Sequence, residues 1–133
     1  MGSLFRQQKR KRTYAVKKTG IKDENIDRQI IVIHRAIAEK LIAHPILVDQ
    51  VKSRLEEKRD NGSMGYGHYI TWQSILELRE NATTFIEAMT EDSQKMRRMR
   101  RSTPFTGILT EEERVNALKQ DAFASVDSID VLF

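Results

Sequence analysis

The sequence predicts an all-α protein, a compact bundle of five or six short helices. Three observations carry this. Apolar residues between positions 26 and 118 recur at three- and four-residue intervals, and no stretch alternates convincingly with a period of two. Helix-start residues stand ahead of several of these apolar stripes. Glycine is concentrated in one stretch, Asn61–Gly67, which holds three of the six glycines and so marks a loop rather than a set of hairpins.

The first helix is expected over Asp23–Ala43. Ile26, Ile30, Ile33, Ile37 and Leu41 fall on one face, and Asp23, Glu24 and Asp27 sit where the helix dipole favours acids. His44-Pro45 breaks it, and Pro45 suits the first position of a second helix running to about Arg59 with Ile46, Leu47, Val51 and Leu55 inward. After the glycine-rich loop a third helix opens near Tyr69, with Thr71 as its cap and Trp72, Ile75 and Leu76 facing the core. Asn81 ends it. Ala82–Met89 forms a short helix with Phe85, Ile86 and Met89 inward. Thr90 is expected to cap the next, which carries Met96, Met99 and five cations before Ser102-Thr103-Pro104 stops it. Thr110-Glu111-Glu112-Glu113 has the spacing of a capping box, and the last helix is expected to run to about Gln120.

Charge divides the chain more sharply than hydropathy does. Residues 1–18 carry Arg6, Lys9, Arg10, Lys11, Arg12, Lys17 and Lys18 without an acid, a charge of +7; residues 95–101 carry +5; the segments 19–94 and 102–133 each carry −4. The expected organisation follows: a disordered basic arm over 1–20, a helical domain over 21–120 and a flexible acidic tail over 121–133. No apolar run reaches the ~18 residues needed to cross a bilayer, which predicts no membrane span. The absence of cysteine excludes disulfides, thiol catalysis and cysteine-ligated zinc, and with the basic start it points to the cytoplasm.

Chemistry-bearing patterns are few. His34, His44 and His68 show no metal-binding spacing, so no metal and no cofactor is expected. No nucleophile, base and orienting group occur in a recognisable pattern, which predicts a protein that is not an enzyme. Two partner-binding sets remain. Arg97, Arg98, Arg100 and Arg101 are expected to give electrostatic complementarity to a protein partner; Phe105 and Ile108 anchor the contact if they are exposed, and Leu132 and Phe133 dock from the tail. Alternatively, the basic arm and the helix at 95–101 neutralise nucleic-acid phosphates. The glutamates that follow at 111–113 argue against the helix pair entering a DNA groove. Tyr66 and Tyr69, in the glycine-rich loop, are either contact residues or a lid on the core.

The residues Arg100, Ser102, Pro104, Phe105, Gly107, Leu109, Thr110, Glu113 and Arg114 form an R-x-S-x-P-F-x-G-x-L-T-x-x-E-R element. With the helix–Pro–helix start and the Trp-centred helix, it resembles a group of small, uncharacterised bacterial helical proteins over roughly residues 26–118. Such proteins look like members of defence or toxin–antitoxin gene pairs. The resemblance implies a partner-binding accessory protein, with a cognate toxin as the partner, and identifies no site.

Overall fold

A computed structural model describes the backbone of residues 24–132 and the side chains of residues 24–122. The described residues form six α-helices and one 3-10 turn, with no strand among them. The helices are α1 (24–43), α2 (Ile46–Asp60), α3 (Tyr66–Glu77), α4 (Ala82–Met89), α5 (Gln94–Arg101) and α6 (Glu111–Leu132); the 3-10 turn, Leu78–Glu80, links α3 to α4. The basic arm, with Arg6, Lys9, Arg10, Lys11, Arg12, Lys17 and Lys18, lies outside the described residues, as do the side chains of Leu132 and Phe133.

One apolar cluster joins all the helices up to the turn before α6. Ile37, Ala38 and Leu41 of α1 meet Val48, Val51 and Leu55 of α2, Tyr69, Trp72, Ile75 and Leu76 of α3, Phe85 and Met89 of α4, and Met96 and Met99 of α5. Each large side chain so buried contributes about 1.5–3 kcal/mol against exposure. The α1 face is rotated from the expected stripe. Its buried residues are His34, Ile37, Ala38 and Leu41, whereas Ile30 and Ile33 are half-buried and Ile26 is exposed. Periodicity marks a histidine as polar; the fold buries this one because both ring nitrogens find partners. On α2 the buried set is Val48, Val51 and Leu55, and Ile46 stays 75% exposed on the outer side of the first turn.

Local caps explain the boundaries. Gly62 takes a left-handed φ of +79°, which a side chain would strain, and this lets the Met64 N–H reach the Lys58 carbonyl at 3.1 Å. α3 begins at Tyr66 and not near Tyr69. Thr71 is therefore inside the helix, its hydroxyl donating to the Gly67 carbonyl at 2.8 Å, and caps nothing. Asn81 caps α4 by accepting from the Thr84 N–H at 3.2 Å. α5 is capped by Ser93, which accepts from the Met96 N–H at 3.2 Å; Thr90 instead donates to the Ile86 carbonyl and closes α4. Glu91 and Asp92 thus precede α5.

The capping box at α6 is formed as expected. The Glu113 N–H donates to Thr110 Oγ1 at 3.1 Å, and the Thr110 N–H donates to Glu113 Oε1 at 2.9 Å. Replacing Thr110 with alanine is expected to cost about 1 kcal/mol, read as a lower urea midpoint at unchanged slope. α6 then continues to Leu132, beyond the expected stop near Gln120.

Candidate partner interface

Geometry at α5 sorts the five cations into three groups. Arg97 and Arg101 are paired within the chain: Arg97 Nε lies 2.6 Å from Asp92 Oδ1, and Arg101 Nη2 lies 2.8 Å from Asp27 Oδ1 on α1. The Arg97 hydrogen bond holds the Asp92 carboxyl below the usual carboxylate range and raises the Arg97 pKa in return. Arg100 is 2% exposed, and its Nη1 donates to the Met89 carbonyl at 3.2 Å. It is a core residue, not a surface contact. Its stem lies on the same side of α5 as Met96 and Met99, and removal from water pushes its pKa down. Lys95 and Arg98 remain. Both are exposed, neighbours at i and i+3, and neither has an ion-pair partner among the described residues.

The turn after α5 is a structural corner. Phe105 and Ile108 are 1% and 3% exposed, so neither is an accessible anchor for a partner. Phe105 sets its ring edge-on to Trp72 (5.1 Å between centroids, 85°) and to His34 (5.9 Å, 87°). His34 also stacks on Trp72, at 6.5 Å and 17°. Its Nδ1 lies 2.8 Å from the Ile30 carbonyl, which only accepts, so Nδ1 carries the proton. Nε2 then accepts from the Thr103 hydroxyl at 2.9 Å, and Thr103 Oγ1 in turn accepts from the Phe105 N–H at 3.1 Å. Burial lowers the His34 pKa to about 4, with the nearby Arg100 adding to the effect, so the ring is neutral at pH 7.

Two cations absent from the sequence-based site hold the corner from outside. Arg54 of α2 donates through Nη1 to the Pro104 carbonyl at 2.9 Å and to the Thr106 carbonyl. Lys40 of α1 donates to the Ile108 carbonyl at 2.8 Å and to Glu113 Oε1 at 2.6 Å. The Lys40 contact, helped by the Thr110 N–H, pulls the Glu113 pKa down to about 2. Gly107, at φ +84°, makes the turn between these two clamps. Periodicity carries no signal for such clamps, because both lysine and arginine stand at positions that read as solvent-facing.

Of the other candidates, Tyr69 lids the core with Arg59 over its ring at 4.6 Å, whereas Tyr66 is 69% exposed. Among the described residues, no group of three or more His, Cys, Asp or Glu side chains is placed to hold a metal ion. No described helix is long and apolar enough to cross a membrane. No family model, curated protein or solved structure matches the chain.

Proposed function

We propose that this chain is a non-enzymatic bacterial protein-interaction module, the neutralising member of a toxin–antitoxin or defence gene pair, acting by covering an acidic surface of its partner. The observation that carries this reading is the Lys95–Arg98 pair. Every other arginine of α5 is paired or buried, but these two adjacent, exposed cations have no ion-pair partner among the described residues. Opposed charge of this kind steers encounter and selects partners more than it sets raw affinity. Arg97 and Arg101, already paired with Asp92 and Asp27, form the flanks of the contact. The body of the fold offers a rigid platform, since the corner beside α5 is clamped by Arg54 and Lys40.

The double reversal Lys95→Glu with Arg98→Glu is expected to weaken capture of the neighbouring gene's product in co-expression pull-down by about tenfold or more. The melting temperature should be nearly unchanged, because both side chains are exposed and neither has an ion-pair partner among the described residues. Equal capture by the doubly reversed protein would refute the α5 contact.

The second reading, a nucleic-acid-binding accessory protein, rests on the same two cations together with the seven basic residues of 6–18. It requires affinity for duplex DNA or RNA that falls steeply with salt and drops on deletion of residues 1–18. Fluorescence anisotropy with a labelled duplex across a salt series separates the two readings.

A further inference from the structure

Arg100 is a buried cation that the described fold leaves incompletely satisfied. Its Nη1 has the Met89 carbonyl, but Nη2 is shielded from solvent with no hydrogen-bond partner. No carboxylate among the described residues is within ion-pair distance of it; the three that act on it from nearby, Asp92, Asp27 and Glu91, are engaged by Arg97, Arg101 and the Ser93 hydroxyl. A buried donor without an acceptor is costly, and more so when it carries charge. Such a group calls for an acceptor from outside.

Arg100 also lines an open cleft between α1 and α5. Ile30, Ile33 and His34 of α1 form one side of it, and Arg101 and Thr103 the other. The lining is mostly apolar. Thr103 and His34 are occupied with each other, Nε2 taking the hydroxyl proton, so neither is free to bind an anion by donation. The guanidinium of Arg100 is the donor left over, with Arg101 at its side held by Asp27. One cationic donor beside aliphatic and aromatic walls matches a ligand with one negative charge and an apolar stem. A phosphate or sulfate dianion suits it poorly, since such a group loses more hydration and finds fewer donors.

We propose that the cleft lined by Ile30, Ile33, His34 and Arg100 is a binding site for a small monocarboxylate with an apolar stem. The carboxylate accepts from the Arg100 guanidinium, and the stem lies against Ile30, Ile33 and His34. Entry requires a small shift of the side chains that shield Nη2. The site shares Arg101 with the flank of the partner surface but does not depend on Lys95 or Arg98.

The test uses the full chain, with sodium hexanoate as the probe and sodium chloride holding ionic strength constant. The arginine side-chain N–H resonances are followed by NMR, and the melting temperature is followed in parallel. The expected result is a saturable shift of the Arg100 resonance with a rise in melting temperature, absent with 1-hexanol and with sulfate. Arg100→Gln should abolish both effects. Should that variant fail to fold, Ile33→Trp, which fills the half-buried cleft wall, should abolish them instead. Lys95→Glu with Arg98→Glu should leave them intact, so the fate of this site and that of the partner surface are read separately. No saturable shift in the wild-type protein, an equal response to 1-hexanol, or an equal response to sulfate would each overturn the assignment. So would persistence of the response in a folded Arg100→Gln or Ile33→Trp protein.

Discussion

Replacing Trp72 with alanine is expected to remove about 3–5 kcal/mol of folding stability. Trp72 has no exposed surface and lies at the junction of three segments distant in sequence. Its ring carries the imidazole of His34 on α1 and the edge of Phe105 in the corner before α6. Truncation removes the transfer energy of an indole and leaves a cavity that α1 and the corner cannot close, because Lys40 and Arg54 hold the corner from outside. Against the ~5–15 kcal/mol typical of a domain, the loss leaves a marginal or partly unfolded protein. Urea unfolding followed by far-UV circular dichroism is the appropriate measurement, since Trp72 is the one tryptophan and its fluorescence goes with it. Trp72→Phe should cost much less by preserving a flat ring. A loss below about 1 kcal/mol in the alanine variant would show that the aromatic layer is not the centre of the core.

The second large effect is a fall in stability on mild acidification, originating at His34. Its folded pKa is about 4 against 6.5 for the free side chain. Between these values the unfolded chain binds a proton that the folded chain refuses, so stability rises with pH across the interval. The contribution is fully present above pH 6.5 and is lost as pH falls toward 4, a change of about 3 kcal/mol. The physical cause is that a charged imidazole there must leave water, lie near Arg100 and give up the hydrogen bond it accepts from Thr103. His34→Gln should be less stable at pH 7 but flat across pH 6.5–4.5, and the slope is the diagnostic quantity. Glu113 acts in a lower window. Its pKa is depressed to about 2 from 4.5, so its contribution is present above pH 4.5 and lost below it. Glu113→Gln should therefore flatten the acid limb below pH 4.5 and leave the upper one unchanged. A wild-type protein whose stability is level from pH 7 to pH 4 would contradict the burial of a neutral His34.

The helical elements were legible wherever periodicity and caps agreed. Met96 and Met99, spaced three apart amid cations, can pack together on one helix face, and both are buried. Thr110 and Glu113 read as a capping box and form one. Boundaries were lost where two cap residues competed. Thr90 and Ser93 both suit a helix start, and the outcome turned on Thr90 being used at the end of α4. Tyr66 and Tyr69 sit three apart beside the same glycines, yet Tyr69 packs on the core and Tyr66 is exposed, a difference that arises only once α3 is packed on its neighbours.

The candidate site was legible as charge but not as surface. Five cations in seven residues are visible to any reader of the chain, and on that count Arg97, Arg98, Arg100 and Arg101 are equivalent. They differ because α1 and the segment before α5 bring Asp27 and Asp92 to two of them, and because the helix rotation that buries Met96 and Met99 also buries Arg100. Phe105 and Ile108 were assigned to a partner on the condition of exposure; the fold places them inside. By itself the sequence determined the helical class, the breaks at Pro45 and Pro104 and the cap of α6, because each depends on residues within a turn or two of one another. Tertiary structure alone decided which cations face outward, that His34 is neutral and buried, and that Arg54 and Lys40 clamp the corner. The pairings of Arg101, His34, Arg54 and Lys40 reach partners 50 to 74 positions away, and side-chain pairing over such distances leaves no trace in local pattern.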